Sequence, residues 1–318
     1  MTAGAVTAGA AMADEPRFIV PVDCDMGLVC AIQQHVDRDP GQGIADFAGG
    51  RLTYDGHDGT DFRVRDRVDM ARGVPVVAAA AGTVLRVRDG EADIEGRARD
   101  AAIAADRMAG NGVVLDHGDG WETQYSHLRQ DSIAVIPGQR VAAGDVLGLV
   151  GQSGFADFPH VHFAVRHNGQ AIDPFGQDQQ SDLWDDSADA VLGYRGGGIL
   201  NLGFTPNPPR MEGVERGVYS TTELPSTIDA IIVWTALFGV RVGDRIDLVL
   251  SDPDGGVVVS QAITVERDRA SQLYFAGRRK PDGDWQPGLY LLTVRFDRPA
   301  GVMPARQEER SARLVVTP

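Results

Sequence analysis

Seven histidines stand at positions 35, 57, 117, 127, 160, 162 and 167, and their neighbours matter more than their number. In Tyr54-Asp55-Gly56-His57-Asp58-Gly59-Thr60-Asp61-Phe62 a histidine and an aspartate lie four apart around a glycine. In Pro159-His160-Val161-His162-Phe163 two histidines lie two apart in a strand-like run. Side chains alternate across a strand, so His160 and His162 project from one face while Val161, Phe163 and Val165 point to the other, toward a core. Two imidazoles from one segment and a His/Asp pair from another supply the donors of a three-ligand zinc site with an open water position. Hydrolytic zinc needs that open position, because the metal lowers the pKa of its bound water to about 7. Each piece alone is weak: a strand His-x-His is more often structural, and His57 with Asp61 could be a turn closed by an aspartate cap. Their joint occurrence with a further strand histidine, in Tyr125-Ser126-His127-Leu128, points to a site.

Strands must position these groups, and the sequence supplies them. VPVVAA (74–79), GTVLRVR (82–88), GVVLDH (112–117), WETQYSHL (121–128), DVLGLVG (145–151) and HVHFAVR (160–166) read as short β runs. Gly118-Asp119-Gly120, Pro137-Gly138, Gly144-Asp145 and His167-Asn168-Gly169 mark turns beside them. One interruption is helical: in 93–108, Ile94, Ala98, Ala101, Ala105 and Met108 recur three or four apart. It reads as a surface helix inserted between strands, or as a wall of a groove. The chain from 14 to 50 reads as loop-like, and 176–198, acidic then glycine-rich, as a linker. Beyond it, runs such as IDAIIVWTALF (228–238), RIDLVLSD (245–252) and GLYLLTVRF (288–296) predict an immunoglobulin-like β-sandwich over 199–318. That part has no His or Cys, which favours a binding or spacer module.

Composition agrees with a mainly β, two-domain chain. The 318 residues are 43% hydrophobic and 24% charged, which excludes wholesale disorder, and 39 Gly with 17 Pro favour turns over a helix bundle. A net charge of −15 demotes nucleic-acid binding. No run of about 18 apolar residues offers a transmembrane segment. The first 13 residues, MTAGAVTAGAAMA, lack a basic start but end in Ala11-Met12-Ala13, and read as a truncated or mis-started export signal or as a disordered tail. The two cysteines, Cys24 and Cys30, are close enough for a short-loop disulfide, which fits an oxidising compartment; two free thiols are the alternative.

The ordered motifs His-x-Gly-x-Asp, Tyr-x-His-Leu and Gly-x-Ser-Gly-x4-Pro-His-Val-His-Phe resemble those of lysostaphin/LytM-type zinc metalloendopeptidases, across about 51–175. The resemblance implies an antiparallel β fold of the duplicated hybrid motif type, with His57, Asp61 and His162 as zinc ligands and His127 and His160 as catalytic histidines off the metal. One of those two would be the general base; the other would stabilise the oxyanion or protonate the leaving amine. Tyr54 is a candidate oxyanion helper, with packing as its plainer role. The implied substrates are cross-link or stem peptides of bacterial peptidoglycan, and the implied location is exported, periplasmic or cell-envelope. Two departures bear on substrate preference: Asp157-Phe158 precede Pro159 where the family often has Ser/Thr-Gly, and Ala164 follows Phe163 where it often has Glu. A catalytically silent activator of another wall hydrolase and a zinc endopeptidase for a secreted protein are the alternatives. The second domain could bind wall polymer or a protein partner, and the segment up to Gly50 could occlude the groove. His117 and His167 read as solvated and His35 as outside the matched region, while Asp58 and Asp116 could each orient a ligand imidazole, a solvated loop charge being the plainer reading of Asp58.

Overall fold

The computed structural model describes residues 15–94, 107–176, 182–301 and 305–318. The leader-like stretch and most of the expected helix at 93–108 lie outside the described residues.

The first part contains β1 (Cys30–Gln34), β2 (Thr60–Val64), α1 (Arg67–Arg72), β3 (Pro75–Val77), β4 (Gly82–Arg88), β5 (Asn111–Gly118), β6 (Trp121–Leu128), β7 (Arg140–Val141), β8 (Val146–Leu149), β9 (His160–His167), β10 (Gln170–Ile172) and α2 (Asp186–Asp189). An eight-stranded antiparallel sheet runs β1-β2-β9-β6-β5-β4-β7 with β10 on β9, and β3 pairs with β8 beside it. One face buries Phe62, Tyr125, Val161, Phe163 and Val165, the alternate residues of their strands. The stretch up to Gly50, which reads as loop, is built into this body. Its β1 extends the sheet beyond β2, its disulfide joins Cys24 to Cys30, and Phe18 is fully buried against Phe163 and Trp184. The linker-like stretch behaves similarly, since Leu183, Trp184 and Leu192 enter the same core.

The second part contains β11 (Gly198–Thr205), α3 (Met211–Glu215), β12 (Glu223–Pro225), β13 (Ala230–Val240), β14 (Arg245–Ser251), β15 (Val257–Thr264), β16 (Arg269–Arg279), β17 (Gly288–Arg298) and β18 (Arg306–Thr317). A three-stranded sheet, β11-β13-β16, packs on a five-stranded one, β12-β18-β17-β14-β15, whose β12–β18 pair is parallel. The uninterrupted apolar run of β13 follows from burial on both faces. Ile231, Val233 and Leu237 enter the sandwich core, Trp234 and Ala236 pack with Val214 of α3, and Phe238 joins Leu200, Ala31 and Leu52 in a seam between the two parts.

A buried clamp closes the start of this domain. Arg298 Nε and Nη2 donate to Asp244 Oδ1 and Oδ2 at 2.8 and 2.6 Å, while Nη1 and Nη2 reach the carbonyls of Gly196 and Gly239. Asp244 is 1% exposed, so removing it strands a guanidinium out of water. Asp244→Ala is expected to cost about 3–5 kcal/mol in urea unfolding of the full chain; a loss under about 1 kcal/mol, the value of an exposed pair, would contradict the clamp.

Candidate metal centre

Strand register brings the site together. On the face opposite the core, Asp61 of β2 stands across from His162 of β9, and Ser126 of β6 stands across from the same histidine on its other side. His57 arrives from the turn before β2, where its amide donates to Tyr54 O and Gly56 takes φ +74°. Gly59 explains the glycine in this motif: a Cβ there would lie 2.6 Å from His162 Nε2 and 2.7 Å from Phe163 O.

His57 Nε2, Asp61 Oδ1 and His162 Nδ1 converge to 3.2, 3.1 and 3.0 Å of one another. Donors about 2.0–2.2 Å from a tetrahedral centre are about 3.3–3.5 Å apart, so this set fits a metal ion to within a few tenths of an ångström. The far nitrogens are also held, as ligand imidazoles require. His57 Nδ1 donates to the carbonyl of His35 at 2.6 Å. His162 Nε2 contacts Asp58 Oδ1 at 3.2 Å; Asp58 Oδ2 accepts from Arg166 at 2.8 Å, and Arg166 donates to Gln124 at 3.0 Å. Burial opposes charge on Asp61, yet His160, His57 and the hydrogen bonds from His162 and His57 hold its carboxyl well below the usual range. Burial likewise opposes a charged His162, but hydrogen bonds to Asp58 and Asp61 lift it to about 9. The field that favours an imidazolium there favours a metal cation at the same point.

Two further imidazoles flank the trio. His127 and His160 have ring centroids 4.7 Å apart, and His160 Nε2 lies 3.6 Å from Asp61 Oδ1. His127 is displaced onto the site by a bulge. The β5–β6 pairing advances two steps on β5, from Val113 to Asn111, against three on β6, from Tyr125 to Leu128. His127 takes φ +62° there, a conformation uncommon for a non-glycine residue. Its Nδ1 donates to Ser153 O, and His160 Nδ1 donates to Phe158 O, both at 2.8 Å. Each ring thus keeps Nε2 as an acceptor. Burial pushes both pKa values down, His127 furthest, with the neighbouring histidines adding to the effect there.

Tyr54 lays its ring over His57, 4.4 Å between centroids. Burial and the charges of Asp61, Asp58 and Asp157 raise its phenol, which therefore remains a proton donor. Of the two readings of Asp58, the orienting one fits the structure better than the plainer solvated one: half-exposed, it touches the His162 imidazole. The signal was its place beside His57. His35 buries its ring among Phe47, Phe175 and Tyr194 while its carbonyl anchors His57. His117 is likewise not free: it bonds Ala81 O and Thr123 Oγ1 and packs on Phe18. His167 stacks on Trp121, and Asp116 accepts from Gly118 N within its own turn. Ser153, unremarked in its turn, donates to Leu128 O and accepts from Asn111 N beneath His127.

The model of Peptidase family M23 matches residues 55–174. An "Uncharacterized metalloprotease" of Haemophilus influenzae is 34% identical over 118 residues, 37% of this chain and 20% of that protein. The peptidoglycan DD-endopeptidase ShyA of Vibrio cholerae is 32% identical over 116 residues, 36% and 21% of the two chains. The murein hydrolase activator EnvC of Escherichia coli is 35% identical over 101 residues, 31% and 22%. The chain spans about a fifth of the length of these curated relatives. Residues 55–174, which carry His57, Asp61, His127, His160 and His162, form a peptidase family M23 domain.

Proposed function

We propose that the chain is a zinc-dependent endopeptidase that hydrolyses peptide bonds of bacterial peptidoglycan, in a cross-link or stem peptide, in the periplasm or cell envelope. The observation that carries this reading is the convergence of His57, Asp61 and His162 with two buried, neutral imidazoles beside them. The likeness to ShyA supports the substrate class, and the Cys24–Cys30 disulfide supports an oxidising compartment.

His57, Asp61 and His162 would hold the ion. Bound there, zinc supplies Lewis-acid polarisation of a substrate carbonyl and a water of lowered pKa. The remaining work belongs to side chains. His127 and His160 are kept neutral by burial, so either Nε2 can accept a proton and return it to the leaving amine. The carbonyls of Ser153 and Phe158 fix which nitrogen does so by holding the Nδ1 proton. The Tyr54 phenol, kept protonated, supplies a donor for developing negative charge. Asp58, itself tied to Arg166, holds the plane of His162.

The likeness to EnvC favours a second reading, a scaffold that activates another wall hydrolase. The complete donor set and both flanking histidines weigh for catalysis instead.

A digest of purified cross-linked peptidoglycan decides between them. Chelator-sensitive loss of cross-linked fragments, restored by zinc and read by mass spectrometry, is expected; a zinc-loaded chain that releases nothing would leave the scaffold. His127→Ala is expected to lower turnover about 10²–10⁴-fold with metal content unchanged, measured by elemental analysis beside the digest. Asp58→Ala is expected to weaken zinc about 10–100-fold in a chelator competition, because the far nitrogen of His162 loses its partner; unaltered affinity would remove Asp58 from the site.

A further inference from the structure

One fully buried charge lies outside this chemistry yet reaches it. Arg63 follows Asp61 by two on β2, so its side chain leaves the same sheet face, and it pairs in register with His160. It is 0% exposed. Its guanidinium carbon lies 4.4 Å over the ring of Phe158. Phe158 in turn packs its ring 4.8 Å from that of His160, and its carbonyl takes the His160 Nδ1 proton. Arg63 thus lies under the residue that sets both the tautomer and the lean of one flanking imidazole.

The groups that hold Arg63 lead to the second domain. Nη2 donates to Glu215 Oε2 at 2.8 Å, from α3. Nη1 donates to Gln33 Oε1, and Gln33 Nε2 donates to Ser271 Oγ of β16 at 3.4 Å. α3 is seated by Val214, which packs on Trp234 and Ala236 of β13. A planar guanidinium suits this place because it can stack on an aromatic face and still fork to two acceptors. A buried guanidinium without its carboxylate would move toward water, and the stacked Phe158 would lose its support.

We propose that the second β domain is a working part of the catalytic site: Glu215 acts as a positioning residue that, through Arg63 and Phe158, sets the orientation of His160. The proposal rests on the reading of His160 as catalytic, and it gives the C-terminal domain a role that spacing or wall binding would not require. A domain that merely tethers the enzyme would leave His160 indifferent to Glu215.

The test uses the full chain carrying Glu215→Ala, Glu215→Gln or, as a control on the same helix, Glu212→Ala, whose carboxylate is exposed. Three quantities are read: kcat and KM on a soluble peptidoglycan fragment, bound zinc, and hydrogen exchange of the Phe155 and His160 amides. Those amides bond to Met108 O and Gly151 O and so report on the segment carrying Phe158. Glu215→Ala is expected to lower kcat about ten- to a hundredfold with KM within about twofold, zinc unchanged and both amides exchanging faster. Glu215→Gln, which keeps an acceptor, should fall between it and wild type, and Glu212→Ala should match wild type. Wild-type kcat and exchange in Glu215→Ala would overturn the proposal. So would a loss of kcat accompanied by loss of zinc, since the damage would then lie in the ligand strand. If the wild-type chain itself cleaves nothing, the catalytic reading has failed, and faster exchange in Glu215→Ala alone still establishes the link between the domains.

Discussion

The site depends on one register. β9 lies between β2 and β6, and the pairing of Asp61 with His162 and of His162 with Ser126 puts a carboxylate and imidazoles from separate segments on one face. A slip of one residue in either ladder would turn the site side chains into the core and the core side chains to the site. The opposite face resists that slip, because Phe62, Tyr125, Val161 and Phe163 are each fully buried there. Burying those rings therefore fixes the chemistry on the other side of the same strands. The exception to regular pairing, the bulge at His127, reinforces the point: an extra residue on β6 re-aims a side chain that simple alternation would have sent elsewhere.

The second constraint is electrostatic. A buried carboxylate surrounded by imidazoles is favoured as an anion, and burial favours the neutral form of His127 and His160. Burial on one side and hydrogen bonds to Asp61 and Asp58 on the other set His162 apart from His127. His162, hydrogen-bonded to both carboxylates, is raised against its burial, whereas His127 is lowered by burial and by the neighbouring histidines. A candidate metal ligand and a candidate proton acceptor are thereby distinguished within a few ångströms without any difference in residue type. Backbone carbonyls of His35, Ser153 and Phe158 complete the sorting by occupying one nitrogen of each of three rings.

Much of this was legible in the chain. Strand alternation alone put His160 and His162 on one face, and the spacing of His57 and Asp61 around glycines agreed with a tight turn into a strand. What escaped were contacts between segments far apart in sequence. Nothing periodic marks Phe18 or Trp184 as core, because each is a single aromatic in an irregular stretch that packs only after the sheet exists. Asp58 looked solvated because its partner Arg166 comes from β9, 108 positions away. Nothing local in the run TDFRV marks Arg63 as buried; its burial follows from Glu215 and Phe158, far away in sequence. The apolar run of β13 predicted a strand correctly but not that both faces would be covered.

The join between the domains follows from that double burial. A sheet with two apolar faces needs two covers, and β13 has the five-stranded sheet on one side with α3 and the residues Ala31 and Leu52 on the other. The seam is completed by part-buried polar contacts: Arg63 with Glu215, Gln33 with Ser271, Asn201 with Asp66. Asp66 also caps α1 through its other oxygen, so the helix that follows the strand of Asp61 shares an anchor with the second domain. Exposed tethering contacts would allow the domains to move apart at little cost, whereas separating this seam exposes an apolar face and strands a buried guanidinium together. The strand that carries Asp61 thus has its position set from two sides, by the core beneath its own sheet and by the neighbouring domain at its end.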